Sequence, residues 1–275
     1  MRAVFYNGNF TDFENAKIPL YDRSVFFGDG VYDVVIGCEG SLYLFDRHLD
    51  RFYGNIDRIG LTPSYTKEEL KEIIKKLISN SGLSEYLVYM QATGYSERRT
   101  HARESDKSNL LLFVTENRIS TDPAPVRLRT VKDTRGSLCD VKSINLLPAV
   151  LYSTENEKSG YFESAYIRDE VVTECAHSSL AIVKNGVFKT HPLSPAILPG
   201  ITRGRAMEIL TKIGIKCLEE PFSKSELFSS DEVLILSTTK LCRQAFEIDG
   251  VRFSKRDAKI GDFLYKAFLK EYRIP

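Results

Sequence analysis

Lys142 is the residue whose surroundings most invite chemistry. It stands in Cys139-Asp140-Val141-Lys142-Ser143-Ile144-Asn145-Leu146-Leu147, between apolar neighbours, in a chain with no other obvious nucleophile. A dry setting disfavours the ammonium form of a lysine, so a free amine becomes accessible near neutral pH. An amine of that kind can form a Schiff base with a carbonyl compound. The same pattern also suits a strand lysine whose stem packs and whose ammonium reaches water.

Other segments carry groups that could assist such an amine. Glu174 follows the strand-like run Val171-Val172-Thr173. Gly200-Ile201-Thr202 and Ser237-Thr238-Thr239 concentrate hydroxyls and backbone donors. The polar loop Gly94-Tyr95-Ser96-Glu97-Arg98-Arg99-Thr100-His101-Ala102-Arg103 holds three arginines and a histidine. It reads either as a solvated tip or as a carboxylate-binding loop, since arginine grips a carboxylate through two parallel hydrogen bonds. Histidines 48, 101, 177 and 191 are too far apart for a zinc-binding H-x-x-x-H pattern. No G-x-S-x-G elbow or Walker A loop occurs, which leaves serine-hydrolase and P-loop chemistry unsupported. Phe27-Gly28-Asp29-Gly30 lacks the third glycine and the strand-to-helix context of a dinucleotide fingerprint.

The totals describe an ordinary globular chain. At 275 residues, 43% hydrophobic and 27% charged, it has enough material for one large or two medium cores. A formal net charge of +1 gives no electrostatic reason to expect a nucleic acid or an anionic membrane as partner. Five scattered cysteines without a C-x-x-C pair suit free thiols in a reducing cytosol, so a cytoplasmic location is expected. The N-terminal run Met1 to Gly8 reads as a strand entering a turn, without a signal-peptide core, and no apolar run approaches the ~20 residues of a membrane span.

Local signals outline the elements that must position these groups. Asn7-Gly8 and Asn185-Gly186 are hairpin pairs. Gly28 and Gly30 mark a tight turn feeding a buried strand, with Ser41 to Phe45 as its hairpin partner. Asp46 is expected to cap a helix whose inner face is Leu49, Phe52, Ile56 and Ile59. Thr66-x-x-Glu69 is a capping box for a second helix ending at Gly82. Strands are expected over Tyr86 to Ala92, Asn109 to Thr115, Val126 to Val131, Tyr161 to Arg168 and Glu232 to Leu236. Helices are expected from Pro148 to Lys158, from Gly200 to about Gly214, and from Gly261 to Tyr272. Ser120-Thr121-Asp122-Pro123-Ala124-Pro125 is the best linker, dividing residues 1–119 from 126–275.

Taken together, Tyr21-Asp22-Arg23-Ser24-Val25-Phe26-Phe27-Gly28-Asp29-Gly30-Val31-Tyr32, His48-Leu49-Asp50-Arg51-Phe52, the Lys142 segment, Thr173-Glu174, Leu198-Pro199-Gly200-Ile201-Thr202-Arg203 and Ser237-Thr238-Thr239 resemble, in order, the class IV aminotransferases, and most closely their D-amino-acid branch. The resemblance implies a two-domain fold type IV of mixed α+β and α/β character. It pairs a smaller N-terminal α/β domain with a larger, cofactor-binding C-terminal domain built on a β-barrel-like core. It implies pyridoxal 5'-phosphate as cofactor and Lys142 as both its Schiff-base lysine and the base of the proton shift. Glu174 would meet the pyridine nitrogen. Arg51, Ile201, Thr202, Ser237, Thr238 and Thr239 would hold the phosphate, and Leu198 would pack on the ring. Arg135 matches a further family arginine near the phosphate, though a plain loop arginine is the simpler reading.

For the substrate, the resemblance implies Tyr32 together with Arg99 and His101, the last two on a loop supplied by the other subunit of a homodimer. Amino acids and 2-oxo acids would be the small-molecule partners, with no nucleic acid or membrane. Arg98 and Lys240 are alternative cations for the α-carboxylate. The chain departs from the family pattern at Thr93-Gly94-Tyr95, at Asp33 in place of glutamate, and at Ser178-Ser179 in place of Ser-Asn. Aminodeoxychorismate lyase and branched-chain L-amino-acid aminotransferase are the competing activities.

Overall fold

The computed structural model describes residues 3–95, 98–252 and 259–273. The chain falls into two compact units. Unit 1 comprises Met1–Ile119, Val141–Asn145 and Tyr272–Pro275; unit 2 comprises Ser120–Asp140 and Leu146–Glu271.

Unit 1 contains β1 (Val4–Tyr6), β2 (Asn9–Thr11), α1 (Arg23–Phe27), β3 (Gly30–Cys38), β4 (Ser41–Leu42), α2 (Phe45–Arg58), α3 (Lys67–Ser81), β5 (Glu85–Gly94) and β6 (Ser108–Glu116). Its six strands form one antiparallel sheet in the order β2-β1-β6-β5-β3-β4. Side chains alternate along a strand, so one face of β3, β5 and β6 presents Val31, Val35, Val88, Met90 and Leu112 to the core. Leu49, Phe52 and Ile56 of α2 and Leu70, Ile74 and Leu77 of α3 cover that face at helical spacing. Asn7 and Gly8 take positive φ (42° and 91°), as a two-residue hairpin requires, and Tyr6 pairs with Asn9. The Thr66 hydroxyl and Glu69 carboxylate form the expected reciprocal cap of α3, and Gly82 closes it in the left-handed region at φ 65°.

Two local expectations are corrected. Asp46 does not cap α2. The cap is Leu44 at φ 54°, with no side-chain hydrogen bond, and Asp46 sits in the first turn with Lys71 of α3 as its partner at 2.8 Å. The strand expected over Ser41 to Phe45 stops at Leu42, because Leu44 already turns the chain into α2. The short α1 had no periodic signal. It is capped by the Asp22 carboxylate, which accepts from the Ser24 N–H, and closed by Gly28.

Unit 2 contains β7 (Val126–Lys132), α4 (Leu147–Ser159), β8 (Glu163–Arg168), β9 (Val171–Cys175), β10 (Ser179–Lys184), β11 (Val187–Thr190), α5 (Ile201–Lys212), β12 (Cys217–Glu219), α6 (Lys224–Ser229), β13 (Glu232–Ser237), β14 (Leu241–Ile248) and β15 (Val251–Arg252), with α7 (Lys259–Arg273) running from it to Tyr272. A nine-stranded mixed sheet runs β12-β11-β10-β13-β14-β7-β8-β9, with β15 beside β14. Leu128, Ala165, Val172, Leu180, Ile182, Val233, Ile235 and Ala245, from six of these strands, share one core with Phe222 and Leu227. A sheet whose strands share one interior is curled, which is how a half-barrel shields its apolar face. Asn185 and Gly186, at φ 49° and 75°, turn β10 into β11. β14 is an additional strand beyond those expected; it leaves the Thr238–Lys240 turn through Leu241 at φ 58°.

Candidate active site

The Lys142 segment is stitched onto the free side of β3. The Tyr32 N–H donates to the Lys142 carbonyl at 2.9 Å, the Ile144 N–H donates to Gly30 at 3.1 Å, and Ser143 bridges Val31. Buried Val141 anchors the segment, while Lys142 itself is half-buried rather than dry. Its Nζ lies 3.4 Å from the Tyr32 hydroxyl and 4.4 Å from the ring centroid. Tyr32 stacks on Tyr89 (5.5 Å), and Tyr89 stacks on Phe113 (4.6 Å), so the lysine's nearest aromatic is fixed by a cross-strand ladder. Close packing also explains the paired glycines. A Cβ on Gly30 would stand 2.7 Å from the Ala92 carbonyl oxygen, and one on Gly28 would strike Asn145, whose amide donates to the Gly28 carbonyl at 3.0 Å.

Arg51 of α2 is gripped by Asp33 of β3 through Nε at 2.8 Å and Nη2 at 2.9 Å. The Asp33 carboxylate also meets His48 Nδ1 at 2.8 Å. Burial opposes ionisation of Asp33, yet the Arg51 charge and the His48 contact outweigh it and hold the carboxyl well below the usual range. Burial pushes His48 in the direction of the neutral imidazole, against the pull of Asp33. Arg51 is therefore aimed by a side chain that the sequence showed only as a shortened glutamate.

Of the polar loop, Ser96 and Glu97 lie outside the described residues. Arg99 and His101 are exposed, Arg99 lying 5.6 and 5.2 Å from the Phe26 and Phe27 centroids and His101 5.4 Å from Phe27. Arg98 pairs with Glu104 at 2.7 Å.

In unit 2, Glu174 near the end of β9 is buried, and its carboxylate accepts the Leu198 N–H at 3.1 Å. Arg135 donates to the same carboxylate and to both oxygens of Asp133, at 2.9 and 3.0 Å, with its guanidinium 4.3 Å above the Tyr166 ring. These carboxylates outweigh the cost of burial and raise Arg135 above the ordinary arginine range. Arg168 and Thr173 complete the shell around Asp133, at 2.9 and 3.2 Å. Arg135 is thus a partner of Glu174, which corrects its reading as a plain loop arginine.

Helix α5 starts at Gly200 with no side-chain cap, leaving the first-turn N–H groups at Ile201 and Thr202 for another acceptor. A Cβ on Gly200 would collide with the Ser179 hydroxyl, so the approach to this helix end must stay bare. Ser237, Thr238 and Thr239 are half-buried at the β13–β14 turn, and Lys240 is exposed.

Residues 30–248 match the family model described as amino-transferase class IV. The chain belongs to that family. The D-alanine aminotransferase of Listeria monocytogenes serotype 1/2a (strain 10403S) is 33% identical over 283 residues, covering 98% of this chain and 95% of that one. The D-alanine aminotransferase of Staphylococcus epidermidis (strain ATCC 12228 / FDA PCI 1200) is 34% identical over 265 residues, 95% and 93% of the two chains. Among solved structures, the branched-chain aminotransferase of Thermoproteus uzoniensis superposes with a TM-score of 0.88 at 23% identity, covering 98% of this chain and 96% of that one. That of Escherichia coli gives 0.86 at 19% identity, with 98% and 93% covered. These likenesses carry the fold alone, fold type IV.

The chain is a pyridoxal-phosphate-dependent class IV aminotransferase, and its residues fit that cofactor. Unit 1 offers a lysine amine on a pinned backbone, and unit 2, taken by itself, offers a buried carboxylate held by Arg135 and Leu198 and a bare helix N-terminus of the kind a phosphate can satisfy. Asp33 and Glu163 carry no local signal because their partners lie well away in the chain, and Asp133, two residues from Arg135, shows its role only once Glu174 joins them. Glu163 of β8 is fully enclosed and accepts from the His177 N–H and, at 2.8 Å, from the Ser178 hydroxyl. Burial, with Glu174 adding to it, pushes its pKa up to about 7 despite those hydrogen bonds. The folded state therefore holds this proton more tightly than the unfolded chain, and Glu163 weakens stability as pH rises from about 4.5 through 7, by about 3 kcal/mol in full. Glu163→Gln keeps the shape without that titration. Its stability relative to wild type, by urea denaturation, is expected to be higher at pH 8.5 than at pH 5; a pH-independent difference would refute the assignment.

Proposed function

We propose that this aminotransferase exchanges amino groups between D-amino acids, of the D-alanine and D-glutamate type, and 2-oxo acids in two half-reactions. The observation that carries this reading is Lys142 Nζ beside the Tyr32 hydroxyl, with two D-alanine aminotransferases at 33–34% identity in support. When bound, pyridoxal phosphate supplies an aldehyde to receive the amino group and a ring to take up an electron pair. With the cofactor bound, the Lys142 amine would hold its aldehyde and would serve as the base that moves the proton from the substrate Cα. Glu174 would hold the pyridine end of the cofactor, its carboxylate keeping the ring nitrogen protonated. Ile201 and Thr202 offer phosphate-binding donors at the head of α5, joined by Arg51 and by Ser237, Thr238 and Thr239, while Leu198 packs on the ring. Tyr32, Arg99 and His101 receive the α-carboxylate.

The loop of one subunit serves its neighbour in a homodimer, a reading supported by exposed Leu20, Tyr21, Val25 and Phe26 on unit 1. All five cysteines are free, which supports a reducing, cytoplasmic setting; cell fractionation placing the protein outside the cytosol would contradict it.

The test is spectroscopic. The purified protein is expected to absorb in the near-visible violet, to lose that band with D-alanine or D-glutamate, and to sediment as a dimer. Bleaching by L-leucine but not by D-amino acids would contradict the D-specific reading, favouring the branched-chain alternative. Pyruvate released from aminodeoxychorismate without an amino acceptor would favour the lyase. A fully active monomer would contradict the shared loop.

A further inference from the structure

Unit 1 holds a charged cluster that the proposed chemistry leaves unused. Arg23 is only 4% exposed, although arginine is rarely enclosed without a partner. Its Nε donates to Asp29 at 2.6 Å, and its two terminal nitrogens donate, each at 2.8 Å, to the carbonyls of Thr100 and His101. Arg103 grips the same Asp29 carboxylate, its Nε at 2.9 Å, so one carboxylate ties α1 to the far end of the loop. Burial works against the Asp29 anion, but Arg103 and Arg23 hold its carboxyl below the usual range. Gly94 makes the cluster possible: a Cβ there would stand 2.9 Å from both Asp29 Oδ2 and Arg23 Cδ. Phe27 completes the arrangement, with Arg23 4.6 Å from its centroid and Arg99 and His101 also against the ring.

Exposed arginine and histidine side chains on a mobile loop pay a backbone and a side-chain ordering cost when they bind a carboxylate; on a backbone already fixed, only the side-chain part remains. We propose that Arg23, Asp29 and Arg103 form a latch, with Phe27 as its pad, that holds Arg99 and His101 in the conformation that binds the substrate carboxylate. These are positioning residues and touch neither substrate nor cofactor. The inference rests on the reading of Arg99 and His101 as carboxylate ligands. Its effect falls on substrate affinity, since Lys142 and its backbone bonds involve none of the four.

The test uses holoenzyme variants Arg103→Gln, Phe27→Leu and Arg99→Ala. Steady-state kinetics with D-alanine are combined with spectral titration by propionate, a carboxylate with no amine to react. Arg103→Gln and Phe27→Leu are expected to raise KM and weaken propionate binding roughly tenfold, with kcat and the cofactor spectrum unchanged. Arg99→Ala is expected to do so more strongly. If Arg99→Ala shows the effect and neither latch variant does, the latch is overturned while the carboxylate loop stands. If Arg99→Ala also changes neither quantity, the loop reading falls and the latch with it. A loss of kcat without a change in KM in the latch variants, the pattern of general damage, likewise overturns the proposal.

Discussion

Replacing Lys142 by alanine is expected to abolish transamination while leaving a folded protein. On the proposed role two contributions would go at once: the amine that would hold the cofactor's aldehyde, and the base that would move the substrate's Cα proton. Proton transfer alone is worth about 10²–10⁴-fold, so kcat is expected to fall by at least about 10⁴-fold with the covalent route also lost. The structural cost is small by comparison. The bonds that pin the segment, Tyr32 N–H to the Lys142 carbonyl and Ile144 N–H to Gly30, are backbone bonds that alanine keeps. Val141 stays buried. What is lost is the ammonium over the half-buried Tyr32 ring, worth about 0.5–1 kcal/mol. Rapid-quench kinetics and a denaturation curve on one preparation measure both. A variant that still turns over, or that unfolds, contradicts the role.

Glu174→Gln is expected to have the next largest effect. A neutral amide cannot match the charge of a protonated pyridine nitrogen, so the ring becomes a poorer acceptor of electrons. A single preorganised electrostatic contact is typically worth about 10²–10³-fold, and kcat is expected to fall in that range with KM little changed. Removing one partner of a buried ion pair commonly costs about 3–5 kcal/mol, because the other charge is stranded. Here Arg135 keeps both oxygens of Asp133 at 2.9 and 3.0 Å, so the stability loss is expected to be well below that figure. Absorbance titration of the bound cofactor adds a second readout, its pH dependence shifting in the variant. An unchanged spectrum and kcat would remove Glu174 from the site.

The parts of the fold legible in the sequence are those whose physics is local. Asn7-Gly8 and Asn185-Gly186 announce their hairpins because both turn positions need positive φ. The α3 cap is visible because Thr66 and Glu69 satisfy each other's backbone N–H groups within one turn. Asp46 misled for the opposite reason: its partner, Lys71, lies on another helix, and Leu44 starts α2 by backbone conformation alone. The candidate site divides in the same way. Lys142, Glu174, Gly200 and Thr238 stand in short motifs with their own chemical logic. Asp33 looks like a mere shortening of glutamate until the packing of α2 on β3 brings Arg51 and His48 to it. Arg135 and Asp133 are two residues apart, yet their joint role needs Glu174, on a strand well downstream.

The most direct measurement is of which lysine carries the cofactor. Holoenzyme treated with borohydride, which makes the lysine–cofactor linkage permanent, is digested and its peptides mapped by mass spectrometry. One phosphopyridoxyl-bearing peptide is expected, with the modification on Lys142, and its loss when D-alanine is added before reduction. Label on another lysine, or label at Lys142 that D-alanine does not displace, would contradict it.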